Sequence, residues 1–208
     1  MTERDESISS FLDRLADRTS APGGGASAAI HAAQAAALVS MVARYSDGPK
    51  FAEHAESIAA TLEGSERLRR SALVLAGQDE AAFAAVAAAY KLPKDTDEQR
   101  RARSTAIAAA LAEAARPPAD VITTVDQILG LAEQLLPIGN RNLITDLAAA
   151  AEAGRAAANT ARVNVEVNLG GIKDPALVAE YERTIELVDR ISDRADQVTA
   201  AVREAIRR

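Results

Sequence analysis

The chain has 208 residues, 48% hydrophobic and 26% charged, which is enough apolar material for a core and too much for a disordered chain. It contains no Cys, which excludes a disulfide framework, a thiolate nucleophile and a zinc-thiolate site, and fits a reducing compartment. A net charge of −6 argues against a nucleic-acid partner, because neutralising phosphates takes a basic face.

Forty-nine residues are Ala and only 3% are aromatic, a composition that predicts an all-α bundle whose helices pack closely. The stretch from Ala26 to Ala43 has no formal charge. It is mostly Ala and contains Ser27, His31, Gln34 and Ser40, so it reads as a buried helix and no membrane partner is expected. Met1 to Glu6 is polar and acidic, without the basic and apolar regions of a signal peptide, which predicts a cytoplasmic protein.

In chain order, Ile8, Phe11, Leu12 and Leu15 follow the spacing of a one-sided helix that the run Thr19 to Pro22 ends. Gly23, Gly24 and Gly25 open an Ala-rich helix to Tyr45 that lacks a polar face and is expected in the middle of the bundle. After Ser46-Asp47-Gly48-Pro49, a helical pattern runs from Phe51 to Tyr90, with Gly64 and Gly77 as points where it could bend or break. Pro93 forces a turn, and Thr96 or Asp97 caps a helix to about Ala115. Beyond Pro117-Pro118, Val121, Ile122, Val125, Ile128, Leu129, Ala132 and Leu136 mark another helix, which stops at Pro137 and Gly139. A helix follows from about Leu143. The last begins at Pro175, with Tyr181, Ile185, Val188, Ile191, Ala195, Val198 and Val202 on one stripe. Val163, Val165, Val167 and Leu169 alternate as in a strand, but a lone strand could not satisfy its backbone, so helix is expected to about Leu169. Six or seven helices in one antiparallel domain over 1–208 result, with no internal repeat.

The segment Pro22-Gly23-Gly24-Gly25-Ala26-Ser27 presents unhindered amides at a helix start, which suits an anion but equally a close-packed turn. It is neither a Walker loop nor a dinucleotide fingerprint, since no Gly-Lys-Ser/Thr follows and no strand precedes it. The two histidines, His31 and His54, lie on different predicted helices outside any Glu-x-x-His pattern, so no metal site is expected. His31 falls one turn after Ser27 and could line the same pocket or simply fill space. Asp79 sits in a polar notch ahead of an apolar run, either as a functional acid or as a helix cap. Lys91 and Lys94, two of only four lysines, flank Leu92-Pro93. Asn140, Asn142, Asp146, Asn159, Asn164 and Asn168 form a polar series in an Ala/Val-rich region, with Asn164 and Asn168 one helical turn apart.

Taken in order, Phe11-Leu12, Pro22 to Gly25, Ala37 to Val42, Asp79 with Ala82-Phe83, Lys91 to Lys94, Gly139-Asn140, Asp146-Leu147, Asn164 and Val167-Asn168-Leu169 resemble the cyclodeaminase/cyclohydrolase family of folate enzymes. The resemblance spans nearly the whole chain. It implies an all-α homodimer with active sites near the subunit interface, helix over 163–169, tetrahydrofolate derivatives as substrates and no further cofactor. Such enzymes cyclise 5-formiminotetrahydrofolate with loss of ammonia, or hydrolyse 5,10-methenyltetrahydrofolate to the 10-formyl compound. By the same resemblance Asp79 is the general acid/base. Lys94 and Lys91 meet substrate carboxylates, Gly23, Gly24, Gly25 and Ser27 meet the glutamate tail or developing charge, and Asn140, Asp146, Asn164 and Asn168 bind the pterin.

The chain departs from the family at Ala26, where many members carry Ser, and at His31, where small residues are usual. Asp79-Glu80 adds a second acid whose partner the sequence does not reveal. The residues do not choose between cyclohydrolase and cyclodeaminase. A non-catalytic dimeric bundle that binds folate or another acidic small molecule is the competing reading.

Overall fold

The computed structural model describes residues 6–207; Met1 to Asp5, most of the acidic start read above, and Arg208 lie outside the described residues. Seven α-helices run in order among these residues: α1 (Ile8–Ala16), α2 (Gly24–Arg44), α3 (Ala55–Tyr90), α4 (Asp97–Ala114), α5 (Arg116–Leu135), α6 (Ile144–Leu169) and α7 (Pro175–Ala205). Short 3-10 turns at Pro49–His54 and Arg141–Leu143 lead into α3 and α6. There is no strand among the described residues. The expected all-α fold is therefore observed, and the alternating valines lie within α6, where Val165 is buried while Val163 and Val167 face outward.

Most helix ends follow their local chemistry. Ser7 caps α1, Thr96 and Gln99 form a reciprocal capping box on α4, and the Asp174 carboxylate accepts from the Ala176 and Leu177 amides. Pro117 and Pro118 stand in the first turn of α5, where a missing N–H leaves nothing unsatisfied. Where the sequence left open a bend or break, α3 runs unbroken through Gly64 and Gly77. Gly64 instead serves packing, since a Cβ there would stand 3.1 Å from the Leu131 side chain of α5. A glycine that costs about 1 kcal/mol of helix propensity is kept because it lets two helices approach.

α2 is the central helix, packed against α3, α5 and α6. Its small side chains, Ala28, Ala29, Ala32, Ala35 and Ala36 among them, are fully buried and allow this close packing. Ser40 and Ser65 hydrogen-bond across the α2–α3 contact at 2.8 Å, and each hydroxyl also has a carbonyl of its own helix nearby. α5, α6 and α7 pack together outside this layer around Ile122, Ile128, Leu129, Leu147, Val188 and Ile191. Arg194 of α7 locks onto α5 through Glu133 and Asp126. By length and composition, α2 and the segment Pro49–Tyr90 could each cross a membrane. α2 turns most of its surface into the bundle.

α1 differs from the rest: it buries no residue, and Ile8 and Leu12 stand in the open. α3 is also unusual, because past Asp79 it continues for about 16 Å to Tyr90 as an exposed, Ala-rich arm. α4 doubles back on this arm, where Arg103 donates to the Tyr90 carbonyl and stacks on its ring.

Candidate functional site

The start of α2, the middle of α3 and the end of α6 meet at the glycine turn. α2 and α3 are antiparallel, so the Ser40–Ser65 contact near one end of α2 places Asp79 at the other. There the Asp79 carboxylate lies against Gly25: a Cβ on that glycine would fall 2.0 Å from Oδ1 and 2.4 Å from Cγ. No real Cβ sits so close, so the space of the absent side chain belongs to the acid. Gly24 is similarly open towards α6, where a Cβ would meet Asn164 Nδ2 at 3.3 Å. The three-glycine run therefore does more than turn the chain, since two of its members make room for polar side chains from other helices.

Gly23 caps α2 and has no side chain to satisfy the first amides of the helix. Asp79 takes over part of that task from α3 by accepting the Ala26 N–H. Burial pushes the Asp79 carboxyl above the ordinary Asp range, the Ala26 amide pulls the other way, and the neighbouring Glu80 charge adds to the rise. A carboxyl held partly out of water, with a raised pKa, takes a proton more readily than an ordinary Asp and can return it. Of the two readings of Asp79 from the sequence, the cap is met in altered form: it caps a helix, but that helix is α2 and not its own.

Ser27 turns its hydroxyl back to the Gly23 carbonyl at 3.0 Å, leaving its oxygen free to accept. The Asn164 and Asn168 amides each donate to the carbonyl four residues earlier in α6, at 2.8 and 2.7 Å. This back-bonding fixes both side chains on one face of the helix, as their spacing predicted. Lys91 and Lys94 sit at the tip of the α3–α4 arm, exposed, with no ion-pair partner shown among the described residues. His31 lies on α2 six residues beyond Gly25, with a buried Nδ1 that has no hydrogen-bond partner among the described residues.

Asn140 and Asp146 are not brought to this cluster within the single chain. Asn140 is tied to the far end of α2: its N–H donates to Ser46 Oγ at 2.8 Å and its side chain to the Tyr45 carbonyl at 2.9 Å. Asp146 follows in the first turn of α6, eighteen residues before Asn164, about 27 Å along the helix. The antiparallel run of α2 and α6 separates what the chain order had seemed to join. Hollows of about 370 and 460 Å³ open between α3 and α5 and not where Asp79 meets Gly25.

No group of three His, Cys, Asp or Glu side chains that could hold a metal ion occurs among the described residues. The sequence reading missed Arg14, whose guanidinium is the partner of Glu80, with Nη1–Oε2 at 3.0 Å and Nη2–Oε1 at 3.2 Å. Only its place on a one-sided helix hinted that it faces the bundle, and nothing local ties it to a residue sixty-six positions on.

The family model described as formiminotransferase-cyclodeaminase matches residues 7–187. A methenyltetrahydrofolate cyclohydrolase of Methylorubrum extorquens is 40% identical over 182 residues, covering 87% of this chain and 88% of that protein. The formimidoyltransferase-cyclodeaminase of Rattus norvegicus is 35% identical over 82% of this chain, which spans only 32% of the rat protein's length. Among solved structures, a formiminotetrahydrofolate cyclodeaminase of Thermotoga maritima superimposes with a TM-score of 0.86 at 29% identity and 98% coverage of both chains. With the family model matched over most of its length, and with relatives of this identity aligned end to end, the chain belongs to the formiminotransferase-cyclodeaminase family.

Proposed function

We propose that this protein is a folate one-carbon enzyme that hydrolyses 5,10-methenyltetrahydrofolate to 10-formyltetrahydrofolate, with Asp79 as general base and then general acid. The observation that carries the reading is the Asp79 carboxyl seated on Gly25 at the start of α2, half-buried and raised in pKa. Asp79 takes a proton from the water that attacks the amidinium carbon; the C–N5 bond of the resulting carbinol then breaks as Asp79 returns that proton to N5, and the hydroxyl proton leaves to solvent as the formyl C=O forms. Asn164 and Asn168 supply amide groups for the pterin edge. Lys91 and Lys94 supply cations for the glutamate carboxylates. The 40% identity to a cyclohydrolase of matching length favours hydrolysis.

Cyclodeamination is the second reading, favoured by the likeness to the Thermotoga maritima enzyme. It uses the same carboxyl: N10 attacks the formimino carbon, and Asp79 relays the N10 proton to the departing ammonia. Neither reaction calls for a cofactor beyond the folate. A chain without Cys and with an acidic balance suits a cytoplasmic enzyme with neither a membrane nor a nucleic-acid partner.

The working form in this reading is a homodimer. The side of α2 that the bundle leaves uncovered carries Ser27, His31, Gln34, Leu38 and Met41, an uncharged stripe of a kind that suits a second copy. Two copies pairing antiparallel along this stripe would bring Asn140 and Asp146 of one towards the glycine turn of the other.

The test is a spectrophotometric assay near neutral pH that follows methenyltetrahydrofolate absorbance with two substrates. Loss of signal from the methenyl compound is the expected result. Gain of signal with ammonia release from 5-formiminotetrahydrofolate would assign cyclodeamination. No rate above the protein-free control for either, with the protein folded, would leave the non-catalytic folate-binding bundle in its place.

A further inference from the structure

Glu80 follows Asp79 on α3 and points away from it towards α1, with its side chain only 14% exposed. Such a carboxylate needs a partner, and Arg14 supplies one in a two-pronged pair at 3.0 and 3.2 Å. The same guanidinium grips Glu6 through Nε–Oε1 and Nη2–Oε2, both at 2.9 Å. Since α1 buries no residue, this clasp is its main polar attachment to α3 shown among the described residues. Sequence alone leaves Glu80 without a role.

We propose that Arg14 is a positioning residue for Asp79, acting through Glu80: its guanidinium fastens α1 to α3 beside the catalytic acid and neutralises the carboxylate next to it. The charges that bear on Asp79 are few. α2 offers glycines and the Ala26 N–H, with His31 two turns further on and no formal charge before Arg44. α6 brings the neutral Asn164 to the same turn. α3 contributes Glu80 itself, and α1 contributes Arg14 with Glu6 behind it. Glu80 is the charge that acts on Asp79 directly, on top of the larger effects of burial and the Ala26 amide, so whatever balances Glu80 adjusts the field at the acid.

This inference rests on the reading of Asp79 as the acid/base group, but its test does not depend on turnover. The Asp79 carboxyl carbon is followed by ¹³C NMR through a pH titration of the full chain, with Asp79→Asn to assign the signal. Arg14→Gln is expected to raise the Asp79 midpoint by about half a pH unit, because an unbalanced carboxylate then stands beside it. Glu80→Gln is expected to lower it, and Arg14→Gln combined with Glu80→Gln to show no rise. Arg14→Lys, which keeps the charge, should stay near the parent.

A merely structural Arg14 gives the opposite sign, since loosening α1 would admit water and lower the midpoint. A fall or no change in Arg14→Gln, or a rise that persists in the double variant, overturns the proposal. If Arg14→Gln does not fold, Glu80→Gln decides: a lowered midpoint supports the proposal and an unchanged one overturns it. The acid limb of the hydrolysis pH profile should follow the NMR midpoints across the variants. Midpoints that move as stated while the limb stays still uphold the Arg14 relation and overturn Asp79 as the acid/base group.

Discussion

The Asp79 carboxylate occupies the space that a side chain on Gly25 would fill, with Oδ1 2.0 Å from where that Cβ would stand. The relation couples two helices at the point where chemistry is assigned. It makes a glycine within a helix a condition of the site.

Gly25→Ala should therefore damage activity more than stability. Alanine raises helix propensity by about 1 kcal/mol in α2, which offsets part of the strain. The carboxyl must nonetheless move by an ångström or more, a misplacement worth about a hundredfold in rate. Gly23→Ala is the comparison, because nothing lies within 4 Å of its added Cβ. Rates and melting curves for both variants check this, and equal activity of the two would contradict it.

The raised Asp79 pKa has a sign that stability measurements can read. A carboxyl that titrates higher in the folded state keeps a proton that the unfolded chain has released, so its contribution to stability falls as pH rises from the ordinary Asp value through its own. Asp79→Asn removes this loss and can still accept the Ala26 N–H through Oδ1. The variant should gain stability relative to the parent as pH climbs from about 4 to neutral. Denaturant titrations at several pH values test this, and a constant difference would contradict it.

The uncharged stripe on α2 gives a test of assembly. Gln34 is exposed near its middle, so Gln34→Arg places a charge where two copies would meet. The parent should sediment as a dimer at micromolar concentration and the variant as a monomer with reduced turnover. A variant dimer of full activity would place any interface elsewhere.

Much of this architecture was legible in the sequence because it rests on periodicity and on punctuation by Gly and Pro. Tyr181, Val188, Ile191, Ala195, Val198 and Val202 form the buried stripe of α7 that their spacing announced. The sequence left open a bend or break at Gly64 and Gly77, but α3 is continuous there, since helix propensity is local while the Gly64–Leu131 contact that rewards the glycine is tertiary. Asp79 and Asn164 stand against Gly25 and Gly24, a meeting of three helices that no local pattern in the sequence reveals. Asn140 and Asp146 did not join them, because order along a chain says nothing about which end of an antiparallel bundle a residue occupies. Arg14 went unnoticed for the same reason: its pairing with Glu80 closes a loop of sixty-six residues.

The most direct test of the account is turnover of methenyltetrahydrofolate by Asp79→Asn, measured beside its affinity for the same folate by calorimetry. Loss of general acid/base catalysis predicts a fall in kcat of about a hundredfold or more, with Kd changed little. Turnover at the parent rate in a folded Asp79→Asn protein would contradict the central claim.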